Sequence, residues 1–118
     1  METTRTVRGC IVLPAGSLPP NAAEVIVMLE DISRADAPSI LIAEQRQTGV
    51  PLHPGAVIPF HIEIPDTQID ERRNYSVRAH VDLSGSGRVK VGDLVSTQTY
   101  PVLTRGHGDK VRVNVRTV

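Results

Sequence analysis

Apolar and polar positions alternate most regularly in Leu18–Ser33, which reads LPPNAAEVIVMLEDIS. Two prolines break the backbone. Ala23, Val25, Val27 and Leu29 then fall on one face, and Glu24, Ile26, Met28 and Glu30 on the other. Successive strand side chains face opposite sides, so the run predicts a strand with an apolar inner face. Its outer face is acidic at both ends and apolar at Ile26 and Met28. The same period recurs four times. Thr4–Leu13 sets Val7, Gly9, Ile11 and Leu13 against Arg8, Cys10 and Val12, and Gly9 there marks a bulge or a close backbone approach. Val57–Pro65 turns Ile58, Phe60, Ile62 and Ile64 inward and Val57, Pro59, His61 and Glu63 outward. Pro59 has no N–H for a ladder, which argues for a sheet edge or for a position whose N–H would have faced solvent. Tyr75–Leu83 turns Tyr75, Val77, Ala79, Val81 and Leu83 inward, with Ser76, Arg78, His80 and Asp82 as its solvent row. Lys110–Val118 turns Val111, Val113 and Val115 in and Lys110, Arg112, Asn114 and Arg116 out.

The remaining segments are less regular. Ser39–Thr48, SILIAEQRQT, is apolar on both faces at first and polar afterwards. Pro38 and Pro51 confine it to about ten residues, so strand is favoured over the competing helix. Asp66–Asn74 is a polar connection with room for one helical turn. Val89 and Val91 predict a short strand, and Leu94–Val102 a broken extended segment. Turn residues punctuate the chain at Ser33–Pro38, His53–Ala56, Ser84–Gly87 and Arg105–Asp109. About seven strands without a long helix predict an all-β fold: one antiparallel β-sandwich over residues 1–118, immunoglobulin- or transthyretin-like.

Composition narrows the function classes. A chain of 118 residues suits one domain with a real core. One Phe, two Tyr and no Trp leave a core of branched aliphatics and no aromatic platform for sugars or single-stranded nucleic acid. Thirteen basic and 13 acidic residues balance to zero. That argues against nucleic acid as a partner and leaves little self-repulsion, which permits weak homo-oligomers. No run is long enough to span a membrane. Cys10 is the one cysteine, so no intrachain disulfide forms. It is expected as a small hydrophobe in or near the core. Met1–Gly9 has no apolar signal core, so no lipid is expected on Cys10 in the sequence as given. No cofactor is expected: the glycine pairs Gly85/Gly87 and Gly106/Gly108 have no amphipathic helix after them to make a phosphate site.

Four side chains qualify as metal ligands: His61 and Glu63, and His80 and Asp82. Each pair shares a strand face, and the four would gather if the two strands were neighbours. Membership of solvent rows is the favoured explanation. His107 beside Asp109 could work with a serine such as Ser86, but no G-x-S-x-G elbow is present and an enzyme is not expected. The basic row Lys110, Arg112 and Arg116 is expected to pair across strands with Glu24 and Glu30, in preference to forming a stripe for an acidic partner. If their face of the strand is solvent, Ile26 and Met28 make a small patch fit for a partner; if a loop covers it, they are core. The Pro59 edge offers a place to add a partner strand.

Several blocks then follow in a telling order: Val7-Arg8-Gly9, the Leu18–Ser33 run with ADAP after it, Ile42–Gln45 (IAEQ), VIPFHIEI, NYSVRAHVD and Tyr100–Leu103 (YPVL). Over roughly Arg5–Val115 the chain resembles the YbaY/YscW family of bacterial lipoproteins, type III secretion system lipoprotein chaperones or pilotins. The resemblance implies a non-enzymatic β-sandwich without catalytic residues. Its partner would be a protein or peptide such as a secretin-like outer-membrane component. The alternative is a periplasmic small-ligand or metal-binding sandwich. Family members usually carry a lipoprotein signal and a lipidated cysteine, and neither is seen here. The expected location is cytoplasmic if Met1 is the natural start. It is periplasmic or outer-membrane-associated if an export signal was removed.

Overall fold

The structure is a computed structural model that describes residues 3–34 and 36–118. Nine strands run through them: β1 (Thr4–Val12), β2 (Asn21–Asp31), β3 (Ile40–Pro51), β4 (Val57–Pro65), β5 (Tyr75–Asp82), β6 (Leu94–Val95), β7 (Pro101–Val102), β8 (Lys110–Asn114) and β9 (Arg116–Thr117). A 3-10 turn at Asp66–Gln68 is the one helical element among the described residues. No helix among the described residues is long and apolar enough to cross a membrane. The strands form two sheets, one ordered β4-β1-β8 and the other β3-β2-β5-β6-β9, with β7 also paired to β5. The expected sandwich is therefore present. Its strand count exceeds seven because β6, β7 and β9 are two-residue fragments.

β2 lies between β3 and β5, antiparallel to both. Val25, Val27 and Leu29 are wholly buried against the inner rows of the facing sheet, including Val7, Ile11, Ile62 and Ile64. At the start of β2 the core position is Ala22, while the expected Ala23 is exposed. Strands twist, and here the alternation breaks just after the proline-rich approach. Ser39–Thr48 is a strand, as its length suggested. β3 pairs with β2 along its course, with a bulge opposite Leu29/Glu30. It is an edge strand, which explains its polar second half and the exposure of Ile40 and Leu41. The turn expected at Ser33–Pro38 is closed by the Ala37 N–H donating to the Arg34 carbonyl. Ala35 within it lies outside the described residues, as do Met1 and Glu2 of the expected signal-free leader.

β1 is the middle strand of the smaller sheet, antiparallel to β4 and parallel to β8. Gly9 makes that arrangement sterically feasible. A Cβ there would lie 1.8 Å from the Val111 carbonyl oxygen and 3.2 Å from the Phe60 ring. The close approach inferred from a glycine in a strand is thus present, and β8 is what comes close.

Three expectations are corrected. Lys110–Val118 is two strands: the chain leaves the smaller sheet after Asn114, and Arg116–Thr117 pairs with β6 in the larger one. The buried Val115 marks the crossing. Val89 and Val91 form no strand and are 52% and 92% exposed, in the loop that joins β5 to β6. The outer row of β5 is not a solvent row, because Ser76, His80 and Asp82 are buried and Arg78 alone is exposed. The segments on either side of β6 fold over that face. The Tyr100 N–H donates to Ser76 Oγ, and Asp93 reaches His80.

Both sandwich corners are closed by side chains. At one, edge strands β3 and β4 meet. Gln47 Nε2 donates to the Pro59 carbonyl at 2.9 Å, and the His61 N–H donates to Gln45 Oε1 at 3.1 Å. Pro59 is on an edge strand, as its missing N–H required. At the other, the Asn114 N–H donates to the Tyr100 hydroxyl at 2.9 Å, tying β8 to the β6–β7 connection.

Candidate partner-binding cleft

The smaller sheet offers its outer face to solvent, and three strands contribute to it. β1 supplies Thr6, Arg8 and Cys10. β4 supplies Pro59, His61 and Glu63. β8 supplies Lys110 and Arg112. Together with the Gly9 backbone, Phe60 and Val111 they enclose a shallow cleft of about 810 Å³. Its floor is apolar around half-buried Cys10, which is aligned with Pro59 on one side and Arg112 on the other. Its rim is basic. Arg8 is aligned with Lys110 on β8 and His61 on β4. Arg8, Lys110 and Arg112 are exposed, and none forms an ion pair among the described residues.

The larger sheet is the opposite case. Glu24 pairs with Arg46, and Glu30 with Arg78 at 2.8 Å. The cross-strand pairing expected between Glu24 or Glu30 and Lys110, Arg112 or Arg116 does not form. β8 belongs to the other sheet, β9 with Arg116 lies at the far end of this one, and each glutamate has an arginine nearer by. Ile26 and Met28 lie on this second outer face, beside a smaller cavity of about 310 Å³. Ile26 is only 4% exposed and Met28 half-buried. Arg78 lies across Met28, its Nη2 3.7 Å from Sδ.

The four expected metal ligands are not brought together. His61 and Glu63 are exposed on the outer face of the smaller sheet. His80 and Asp82 are buried on the outer face of the larger one, so the sandwich separates the two pairs. β4 and β5 are consecutive, but the chain changes sheets between them. His80 and Asp82 instead meet Asp93, with ligand atoms within 4.8 Å of one another. Every carboxylate oxygen in this cluster already accepts from the backbone. Asp82 holds the Gly85 and Gly87 N–H groups, and Asp93 holds those of Leu83 and Lys90. His80 Nε2 lies 2.8 Å from Asp93 Oδ2. The cluster is a clasp for the β5–β6 loop, and its donors leave a metal little to replace. Burial pushes the Asp93 pKa up. The His80 hydrogen bond and the two N–H groups outweigh that and hold it below the ordinary value.

A second clasp holds the Asp70–Asn74 connection. Asp31 accepts from the Ser33 N–H and from Arg73 at 3.0 Å each, and Ser33 Oγ accepts from the Asn74 N–H. Burial raises the Asp31 pKa, but the Ser33 and Arg73 contacts win and lower it. Ser86 and His107 serve turns. Ser86 Oγ bonds the Arg88 backbone, and the His107 N–H donates to the Thr104 carbonyl. Sequence reasoning did not single out Asp93, Gln45 or Gln47. Asp93 had one signal, a lone acid after Gly92 in a glycine-rich loop.

Residues 2–115 match the family described as type III secretion system lipoprotein chaperone (YscW). The chain belongs to the YscW family. A solved structure described as an alternative pilotin from the type II secretion system of Vibrio cholerae superposes with a TM-score of 0.77 at 26% identity. The alignment covers 98% of each chain. No curated protein matches. For this YscW-family chain the resemblance read from the sequence blocks is therefore correct in family and fold. The Asp31 and Ser33 positions of that resemblance are the clasp residues just described, so part of the motif is structural.

Proposed function

We propose that this YscW-family chain is a non-enzymatic escort of a secretion-system protein, acting as one domain over its whole length. What carries the reading is a family match over residues 2–115 joined to a fold shared end to end with a pilotin. The partner is a secretin-type outer-membrane subunit. An escort needs a surface that takes a segment of its partner, and the cleft over β1, β4 and β8, at about 810 Å³, has room for one. Pro59 is retained as a contact residue on the cleft wall. Adding a strand at the β4 edge is less favoured, because Gln45 and Gln47 already occupy ladder groups there. Ile26 and Met28 are weaker contacts for a related reason: Ile26 is buried and Arg78 lies across Met28.

The test is calorimetric titration of the purified chain with secretin subunits of the source bacterium. It is combined with a count of secretin multimers in a strain lacking the gene. Micromolar association, about −8 kcal/mol, and loss of multimers are expected. No association together with normal multimer assembly would sink the reading.

A further inference from the structure

We infer that the cleft over β1, β4 and β8 recognises an acidic amphipathic segment of its partner, read by Arg8, Lys110 and Arg112. The inference deepens the proposed escort role and rests on it. Arg8 and Lys110 are aligned on adjacent strands, and like charges so placed repel. Arg112 sits on the same face of β8. The single carboxylate of the cleft, Glu63, forms no ion pair with any of them. On the opposite sheet Glu24 and Glu30 are each matched with an arginine. The two glutamates of β2 are thus compensated, while the three cations of the cleft have no carboxylate partner among the described residues. Carboxylates of a bound segment would supply the missing countercharges.

The floor adds the second requirement. Cys10 and Pro59 are apolar, so the occupant also presents apolar side chains. A cleft of about 810 Å³ is far larger than one phosphate group needs. An anionic membrane suits it less well. The face is concave, Glu63 would meet acidic headgroups, and the chain has no net charge to draw it to a negative surface.

Cys10 provides the readout, because it is the one cysteine and lies on the floor. The probes are a synthetic peptide with Glu and Leu at helical spacing, its Lys–Leu counterpart, and phosphatidylglycerol vesicles. The Glu peptide is expected to slow alkylation of Cys10, and the Lys peptide to leave it unchanged. Protection should weaken as salt rises. Arg8→Glu and Arg112→Glu should each weaken Glu-peptide and secretin-subunit binding about tenfold or more. Both residues are exposed, so circular dichroism should match the parent. Arg88→Glu, an exposed cation on the β5–β6 loop, should change neither. Secretin binding that survives both cleft reversals would overturn the inference and leave the escort role standing. Cys10 protection by vesicles but not by the Glu peptide would also overturn it. Peptide protection without secretin binding would support the acidic-segment cleft and remove the escort reading instead.

Discussion

Gly9 shows how one missing side chain shapes both fold and cleft. The Val111 carbonyl occupies the place where a Cβ would be. Gly9→Ala must push β8 from β1, since the clash is with backbone and no rotamer relieves it. A loss of about 3 kcal/mol or more is expected in urea unfolding followed by circular dichroism. Gly108→Ala, with open space around it, should cost far less. Asp31 and Asp93 govern the acid limb of stability. Their folded pKa values lie below the ordinary 3.8. Both carboxylates therefore stabilise the fold above that pH, and the contribution is lost as pH falls through the folded values. The urea midpoint should drop as pH falls from about 5 through 3.8 and below, and Asp93→Asn should flatten part of that drop. A midpoint that is flat across the range in the parent would contradict the clasp geometry.

At the scale of elements, the edges decide how the sandwich meets its surroundings. The β3–β4 corner is sealed by two glutamines that stand in for ladder partners. Gln45→Ala with Gln47→Ala should cost about 1 kcal/mol per lost hydrogen bond. It should also free the β4 edge, so sedimentation should show concentration-dependent association absent from the parent. The Tyr100 hydroxyl does the corresponding work at Asn114, where the chain is about to change sheets. Tyr100→Phe should lower stability by about 1 kcal/mol and speed amide exchange at Asn114. The short strands β6, β7 and β9 have few pairings of their own, and the Tyr100 bonds to Ser76 and Asn114 add to them.

On the scale of the whole molecule, a neutral chain has divided its charges unevenly. Glu24 and Glu30 of the larger sheet are matched with arginines, while Arg8, Lys110 and Arg112 share the cleft face without a carboxylate partner among the described residues. The expectation that the basic row of the last strand would pair with Glu24 and Glu30 failed for a topological reason. Side-chain alternation tells which residues share a strand face, but it does not tell which strands are neighbours. The same gap separated His61 and Glu63 from His80 and Asp82, and hid the meeting of His80 with Asp93. It also turned the supposed solvent row of β5 into a buried one, because covering by a loop leaves no trace in local periodicity. The sequence by itself determined the long strands, their inner rows apart from Ala23, the edge position of Pro59 and the tight spot at Gly9. Each of these follows from local covalent geometry: a period of two, a missing N–H, a missing Cβ. Only the tertiary structure decided that β1, β4 and β8 share a sheet, and hence that Arg8, His61, Lys110 and Arg112 rim one cleft. Those residues are far apart in the chain, and their meeting depends on pairings between strands that no local pattern encodes.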